Sequence, residues 1–380
     1  MSLGVGLMSG TSIDGIDAAV VRFSSKADQK PLHLVAFETY RFPQKIRKRV
    51  LACSDGKFSD KEELCRLHFE LGELFAGAVK KICHKAKIPI GRIDFIGSHG
   101  QTVCHLGQEG SVQLGEPSII AERTGITTVA DFRSRDIAAG GTGAPLAPYL
   151  HYHLFHSSRL SRAVHNLGGI SNLTFLPKNA SLKEVTGFDT GPGNMVIDGL
   201  MREKSGGRHH FDEDGRVALR GRISLSLLKE LLRGPFIGKR PPKTCGREEF
   251  GRDFVMTFLS RGERLKLRFE DIVSTATAFT AVSIAENYRR FIFSKGRLDE
   301  IIFMGGGVHN ETLMTMIRAE LVGTKISTLD EYPFGIPSDA AEAVLFALLA
   351  HETLQGRPTN LPRVTGARKS VVLGTITPGN

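Results

Sequence analysis

Two stretches of the chain carry the residue types that hold phosphate. Ser9-Gly10-Thr11-Ser12-Ile13-Asp14-Gly15 and Gly168-Gly169-Ile170-Ser171-Asn172 both combine small residues, which let the backbone approach an anion closely, with hydroxyl and amide donors. Neither is a Walker A loop, and the spacing of Gly4, Gly6 and Gly10 fails the dinucleotide pattern G-x-G-x-x-G. Taken singly, each also reads as a tight hairpin turn. Glu342 is an acid among Ala340, Ala343, Val344, Leu345 and Phe346, so it sits near a buried face and needs a partner, unless it is only a helix-start charge favoured by the dipole. His151 with His153, and His209-His210 beside Asp212, Glu213 and Asp214, offer metal-ligand side chains but no open three-ligand zinc spacing, and Asp214-Gly215 reads as a surface turn.

The elements that must position these residues follow from hydrophobic periodicity. Leu3 to Met8 and Asp17 to Phe23 read as a strand pair joined by the first loop, with a third strand at Leu32 to Tyr40 and a helix from Lys61 to Ala86. Asp94 to Gly97 reads as a buried strand running into a polar turn, Ser98 to Thr102, and Ile126 to Ala130 as another emptying into Asp131-Phe132-Arg133. After the Gly- and Pro-rich segment 138–145 a second strand pair begins, Ala163 to Leu167 and Leu173 to Leu176, around the second loop. Helices follow at Leu225 to Leu232, Phe250 to Ser260 and Ile272 to Phe293. A strand, Ile301 to Met304, enters Gly305-Gly306-Gly307, and an apolar helix spans Ala340 to Leu354. Two α/β halves, each opening with a hairpin that carries a Gly/Ser/Thr loop, predict two related domains. The boundary is expected near residue 148, with residues 1–148 joined by about 345–380 and the second domain over 149–344.

Composition narrows the classes. The 380 residues are 41% hydrophobic and 24% charged, ordinary globular material, and no stretch approaches the roughly 20 apolar residues of a membrane span. The five cysteines form no close pair, which favours reduced thiols and a cytoplasmic protein. The net charge of +10 admits nucleic acid, a membrane surface or small anions as partners; the basic residues are dispersed without interleaved aromatics and Trp is absent, which argues against nucleic acid.

The two loops together, with Gly305-Gly306-Gly307 at a later strand end, resemble the layout of actin-like and hexokinase-like ATPases. In that architecture two ribonuclease H-like α/β domains flank an active-site cleft, and one loop from each grips the phosphates. A closer resemblance runs essentially end to end. Gly6-Leu7-Met8-Ser9-Gly10-Thr11-Ser12, Gly97-Ser98-His99-Gly100-Gln101-Thr102, Ala130-Asp131-Phe132-Arg133, Asn166 to Asn172, Gly187-Phe188-Asp189-Thr190-Gly191-Pro192-Gly193-Asn194, Pro241-Pro242-Lys243, Gly305 to Asn310 and Asp339 to Ala343 are similar to the motifs of the anhydro-N-acetylmuramic acid kinases.

The resemblance implies an unusual reaction of peptidoglycan recycling. Water opens the 1,6-anhydro ring while ATP phosphorylates the oxygen released at carbon 6, giving N-acetylmuramic acid 6-phosphate. It carries the catalytic base to Asp189, a carboxylate that is ionised at neutral pH, although the same residue could merely cap a turn before a helix starting near Asn194. Glu342 resembles a supporting acid. The nucleotide loops are implied at Gly10, Thr11, Ser12, Ile13, Asp14, Gly15, Ile16 and Asp17, at Gly168, Gly169, Ser171 and Asn172, and at Gly305, Gly306, Gly307 and Asn310. Asp14 or Asp17 would hold Mg²⁺, and His99, Gln101, Asp131 and Arg133 would contact the sugar. A homodimer is also implied. Ile13 for Leu, Cys104 for Arg, Thr142 for Gln and Thr244-Cys245 for Ser-Thr are departures that bear on the sugar pocket. The alternative is a non-catalytic nucleotide- or sugar-sensing protein of the same fold.

Overall fold

The computed structural model describes residues 1–10, 13–24, 32–54, 60–332 and 336–380, so the Thr11 and Ser12 of the first loop lie outside the described residues. The chain divides into two compact units, Met1–Leu154 with Tyr332–Asn380, and Phe155–Glu331.

In the first unit β1 (Ser2–Ser9), β2 (Gly15–Phe23) and β3 (Leu32–Arg41) form an antiparallel meander, and β1 pairs in parallel with β4 (Phe95–His105), which pairs in parallel with β6 (Thr128–Ala130). β5 (Ser111–Leu114) runs back along β4, and a last strand, Thr375–Thr377, closes the edge beside β6. In the second unit β7 (Arg162–Leu167), β8 (Ile170–Leu176) and β9 (Thr186–Pro192) again form an antiparallel meander, with β10 (Glu300–Met304) and β11 (Lys325–Thr328) parallel beyond β7. The orders β3-β2-β1-β4-β6 and β9-β8-β7-β10-β11 are the same topology twice, two α/β halves of one design.

The local reasons are plain in the sequence. The first-unit core joins Val5, Leu7, Ala18 and Val20 of the meander to Leu67, Leu71, Phe75, Val79 and Ile82, which recur at helical spacing along Lys61–Ala86. Asp60 caps that helix by accepting from the Glu62 amide, and Lys87 ends it in the left-handed region. In the second unit Phe269–Phe291 is buried on most of its circumference by neighbouring helices and strands. The turn expected at Ser98 to Thr102 is instead strand, because β5 supplies a hydrogen-bonding partner for β4 out to His105. The helix expected from Phe250 is broken at Gly251, with Arg247–Phe250 before it and Arg252–Arg264 after.

Helix Ala341–Leu354 lies on β1 and β4 along its length and belongs with the first unit from Tyr332 onward, so Glu342 travels with that unit. Two glycines make the approach possible. A Cβ on Gly6 would lie 1.8 Å from the Ala343 carbonyl oxygen, and one on Gly97 would lie 2.1 Å from that of Phe346. Both obstacles are backbone, which cannot swing aside, so the helix must move off the sheet to admit a methyl group. Gly97→Ala is therefore expected to cost about 1 to 3 kcal/mol in urea unfolding, the range for overpacking, and wild-type stability in that variant would contradict this packing.

Candidate functional site

The candidate side chains of each unit gather beside an interruption in its strand pairing. In the first unit Leu7 pairs with Ser98 but Ser9 pairs with Gln101, so β4 carries one extra residue at His99-Gly100, and Gly100 takes φ +72°. In the second unit Ser171 pairs with Gly191 but Asn172 pairs with Asp189, which leaves Thr190 as the extra residue of β9. A bulge breaks the alternation of the pleat and re-aims the neighbouring side chains.

At the first bulge, His99 is 3% exposed and held from both ring nitrogens: Nδ1 lies 3.0 Å from the Gly100 carbonyl and Nε2 accepts from Arg133 Nε at 3.1 Å. That pattern requires the neutral Nδ1–H tautomer. Burial, then the Arg133 cation, pushes His99 well below the usual histidine range. Arg133 donates its other contact to the Gly143 carbonyl at 2.8 Å, and burial lowers it to about 10, opposed by the Glu342 carboxylate. Glu342 is exposed in the first turn of helix Ala341–Leu354 rather than on a buried face, yet enough protein surrounds its carboxyl to weaken hydration. Its pKa is raised by that desolvation and by Asp17, and lowered by Arg133. Asp17 pairs across β2 and β3 with Thr39, whose hydroxyl donates to it at 2.6 Å, and is raised to about 6 by burial, with Asp14 and Asp339 adding repulsion.

These acids and one cation form a cluster, and the remaining first-unit residues have other work. Gln101 is fully buried; its Oε1 lies 2.6 Å from the Ser9 hydroxyl and its Nε2 donates to the Gly10 carbonyl at 3.3 Å, so it braces the start of the loop. Asp131 takes φ +54° and accepts from the Ser134 amide and hydroxyl, ordering the turn into helix Ser134–Ala138. Ile13 also sits at positive φ, +53°, an unusual state for a β-branched residue, with its carbonyl accepting from Arg47 Nε at 2.9 Å. Gly15 and Ile16 are buried in β2. The Gly-rich segment after Arg133 is fixed by Asp136, whose buried carboxylate accepts from the Gly143 amide, Asn360 Nδ2 and Thr365 Oγ1. Asp136 is a buried acid that the sequence shows only as one charge among several; its side-chain partners Asn360 and Thr365 are 224 and 229 residues away along the chain.

In the second unit the Gly168-Gly169 turn is clasped from below: the Gly193 and Met195 amides donate to the Gly169 carbonyl and the Asn194 amide to that of Gly168. Gly305 takes φ +87° beside Asn166 and Leu167, and a Cβ on Gly307 would meet Leu167 Cβ at 2.6 Å, so the strand-end glycines lie against the residues just before the turn. Gly306 differs, since a Cβ there would meet nothing within 4 Å. Asn310 caps helix Glu311–Glu320 by accepting from the Leu313 amide, and Asn172 is half-buried opposite Asp189. Ser171 points inward: its hydroxyl lies 2.6 Å from His165 Nε2 and 2.7 Å from Thr190 Oγ1, while His165 Nδ1 meets the Tyr288 hydroxyl at 3.0 Å. Burial holds His165 down to about 3, so it is neutral and structural.

Asp189 precedes the bulged Thr190. Its carboxylate accepts from the Cys245 amide at 2.9 Å and its own amide donates to the Lys243 carbonyl at 3.1 Å. Burial raises it to about 7, opposed by the Cys245 amide and then the Lys243 cation, with Glu249 and Glu248 adding repulsion. Lys243 is 3% exposed and turned inward. Thr190 and His165 carry no clear signal in the sequence, because β7 and β9 do not alternate buried and exposed positions.

The comparisons can now be set beside this geometry. The family model described as anhydro-N-acetylmuramic acid kinase matches residues 2–379. Curated relatives of that name include one from Caldanaerobacter subterraneus subsp. tengcongensis, 44% identical over 98% of this chain and 96% of its own length. Another, from Clostridioides difficile, is 40% identical over 98% of each chain. Among solved structures, component A of the (R)-2-hydroxyglutaryl-CoA dehydratase of Acidaminococcus fermentans overlaps 91% of this chain and 98% of its own at 12% identity and a TM-score of 0.45, too loose a likeness to decide fold or function.

Two outcomes follow from this geometry. Nitrogen-15 NMR of His99 should show the neutral Nδ1–H tautomer unchanged from pH 8 to pH 5, because its pKa lies well below that window; protonation near pH 6.5 would refute the paired arrangement. Thr190→Val should cost about 1 to 3 kcal/mol by leaving the buried Ser171 oxygens without their partner, with a stability change near zero as the contrary result.

Proposed function

Because the chain belongs to the anhydro-N-acetylmuramic acid kinase family, we propose that it opens the ring of 1,6-anhydro-N-acetylmuramic acid with water and transfers the γ-phosphoryl group of ATP to O6, in the cytoplasm where ATP is available. The observation that carries this reading is Asp189: a carboxylate beside a bulge, fixed by a backbone amide and raised to about 7, near the pH at which a general base works best.

In this proposal Asp189 takes a proton from the water that attacks the anomeric carbon. The bond between that carbon and the bridging oxygen breaks, and its electron pair stays on O6. O6 then attacks the γ-phosphorus, ADP leaves, and Asp189 returns its proton to solvent. The phosphates would lie on the Gly10–Asp17 loop and on the Gly168-Gly169 turn, whose amide-clasped geometry keeps the small residues facing outward. Gly306, where a side chain would meet no protein atom, suits close approach of the adenosine. Asn172 is available beside Asp189, while Ser171 and Asn310, engaged in hydrogen bonds of their own, would support the loops. His99, Arg133 and Glu342 supply a neutral ring, a cation and an acid for the sugar, with Gln101 and Asp131 holding the surrounding loops.

A divalent cation fits Asp17 and Asp14. Asp14 and Asp339 add repulsion at Asp17 that a bound cation would relieve, and Mg²⁺ needs only one or two protein oxygens besides water and phosphate. No cluster of three or more ligating His, Cys, Asp or Glu side chains occurs among the described residues, so a resident all-protein metal site is not proposed. When bound, Mg²⁺ would neutralise charge on the phosphates. No helix among the described residues is long and apolar enough to cross a membrane. A homodimer is proposed on the family resemblance alone and is checked by light scattering.

The test is an ATP-consumption assay with the anhydro-sugar, following product mass. A product that gains both water and a phosphoryl group supports the proposal, and binding of the sugar without ATP consumption favours the sensing alternative. Asp189→Asn is expected to lose about 10² to 10⁴ in kcat, the contribution of a positioned base; near-normal turnover would remove Asp189 from the mechanism. For the wild type, kcat/KM should fall about tenfold per pH unit below the midpoint near 7, because protonation removes the base. The stability sign is opposite. A raised carboxyl pKa favours the folded state at low pH, and that advantage is lost as pH rises from the unfolded value through about 7. Asp189→Asn should therefore melt no lower than wild type at pH 8, and a clear drop would contradict the desolvated carboxylate.

A further inference from the structure

Lys243 presents an arrangement that ion pairing does not explain. Its ammonium is 3% exposed and donates at 3.2 Å to the carbonyls of Phe236 and Ile237, both in the short turn of helix Pro235–Gly238. Three rings surround it, with centroids 4.7 Å away for Phe236, 5.3 Å for Phe291 and 5.9 Å for Phe188. Among the described residues no carboxylate lies within salt-bridge distance of Nζ. Two carbonyls take two of its donors and the ring faces stabilise the charge, so the cation is accommodated without a counter-ion. The backbone of the same residue accepts from the Asp189 amide, and two residues on the Cys245 amide donates to the Asp189 carboxylate. One end of Lys243 is thus locked into the ring cage, and the other borders Asp189.

We propose that Lys243 is a positioning residue for Asp189: its caged ammonium ties the Lys243–Cys245 backbone to the Pro235–Gly238 turn, and that backbone fixes the carboxylate beside the β9 bulge. The inference rests on Asp189 acting as the base. Phe188, the residue before Asp189, is also a wall of the cage, so the strand and the loop are joined through the same cation. The electrostatics agree. The charged and titratable groups facing Asp189 are Lys243, Glu249 and Glu248, with the Cys245 amide bonded to it. Those facing Lys243 are Cys245, Arg290, Asp189 and Lys239. Lys243 is therefore the cation that offsets the two glutamates. Burial lowers it to about 8, so it is mostly charged at the Asp189 midpoint near 7. Burial and then Asp189 push the Cys245 thiol upward, so it stays protonated and adds no competing charge.

The test uses the full chain and reads Asp189 directly. Carbon-13 NMR of the Asp189 carboxyl, assigned by its loss in Asp189→Asn, gives the midpoint in wild type and in Lys243→Met. The expected result is an upward shift of about one pH unit or more, the effect of removing an opposite charge, with kcat at pH 7 falling about fivefold or more and KM changing by less. A midpoint and a kcat that both stay at wild-type values overturn the proposal. If Lys243→Met does not fold, Phe291→Leu opens one wall of the cage while leaving the ammonium and Asp189 in place. A shifted Asp189 midpoint with reduced kcat supports the brace, and wild-type values of both overturn it. A midpoint that moves in Lys243→Met while Asp189→Asn remains active separates the cases: the brace would stand and the assignment of Asp189 as base would fall.

Discussion

The register break between β8 and β9 is the constraint on which the second unit's chemistry depends. With Thr190 left over between the Asn172–Asp189 and Ser171–Gly191 pairs, the strand cannot continue its alternation, and Asp189 is set apart from the buried side chains on either side of it. The extra residue is not left unsatisfied. Its hydroxyl meets Ser171, its carbonyl accepts from Asn287 Nδ2 at 2.9 Å, and through Ser171 it reaches His165 and Tyr288. A bulge costs ladder hydrogen bonds, and these buried side-chain hydrogen bonds hold one geometry of it. The neutral His165 suits this task, since a cation there would have no buried carboxylate to meet.

The first unit solves an analogous problem by different means. Its bulge at His99-Gly100 is stabilised by a positive-φ glycine and by an arginine donating to the histidine, and it faces an acidic cluster rather than a single base. The two breaks fall in different pairings, the parallel β1–β4 pair in the first unit and the antiparallel β8–β9 pair in the second. In each sheet the first strand of the meander, β1 or β7, has an antiparallel neighbour on one side and a parallel one on the other. The glycines of β1 and β4 serve a separate purpose, bringing helix Ala341–Leu354 against the sheet so that Glu342 sits near Asp17 and Arg133.

Much of this was legible in the residues. The two hairpins, the helix Lys61–Ala86 and the strand entering Gly305 follow from periodicity, because each has one face against a core and one away from it. The strand character of Ser98 to Thr102 did not, since it depends on β5, a four-residue partner with no pattern of its own. Nor did the fate of individual polar side chains. Gln101, Ser171 and Lys243 have the donor chemistry of ligand contacts, and composition cannot distinguish a donor that faces a ligand from one that faces a carbonyl inside the protein. Asp136 illustrates the same limit, as its partners Asn360 and Thr365 arrive from the far end of the chain.

The central claim is that the fold desolvates Asp189 enough to hold a proton near neutral pH while keeping it ionisable. Following the carbon-13 signal of its carboxyl in the unliganded protein from pH 4 to pH 9 tests that claim without reference to substrate. The account predicts a midpoint close to 7. A midpoint near 4, the value of an ordinary exposed aspartate, would mean that the residue is not held in the environment described and would contradict the account.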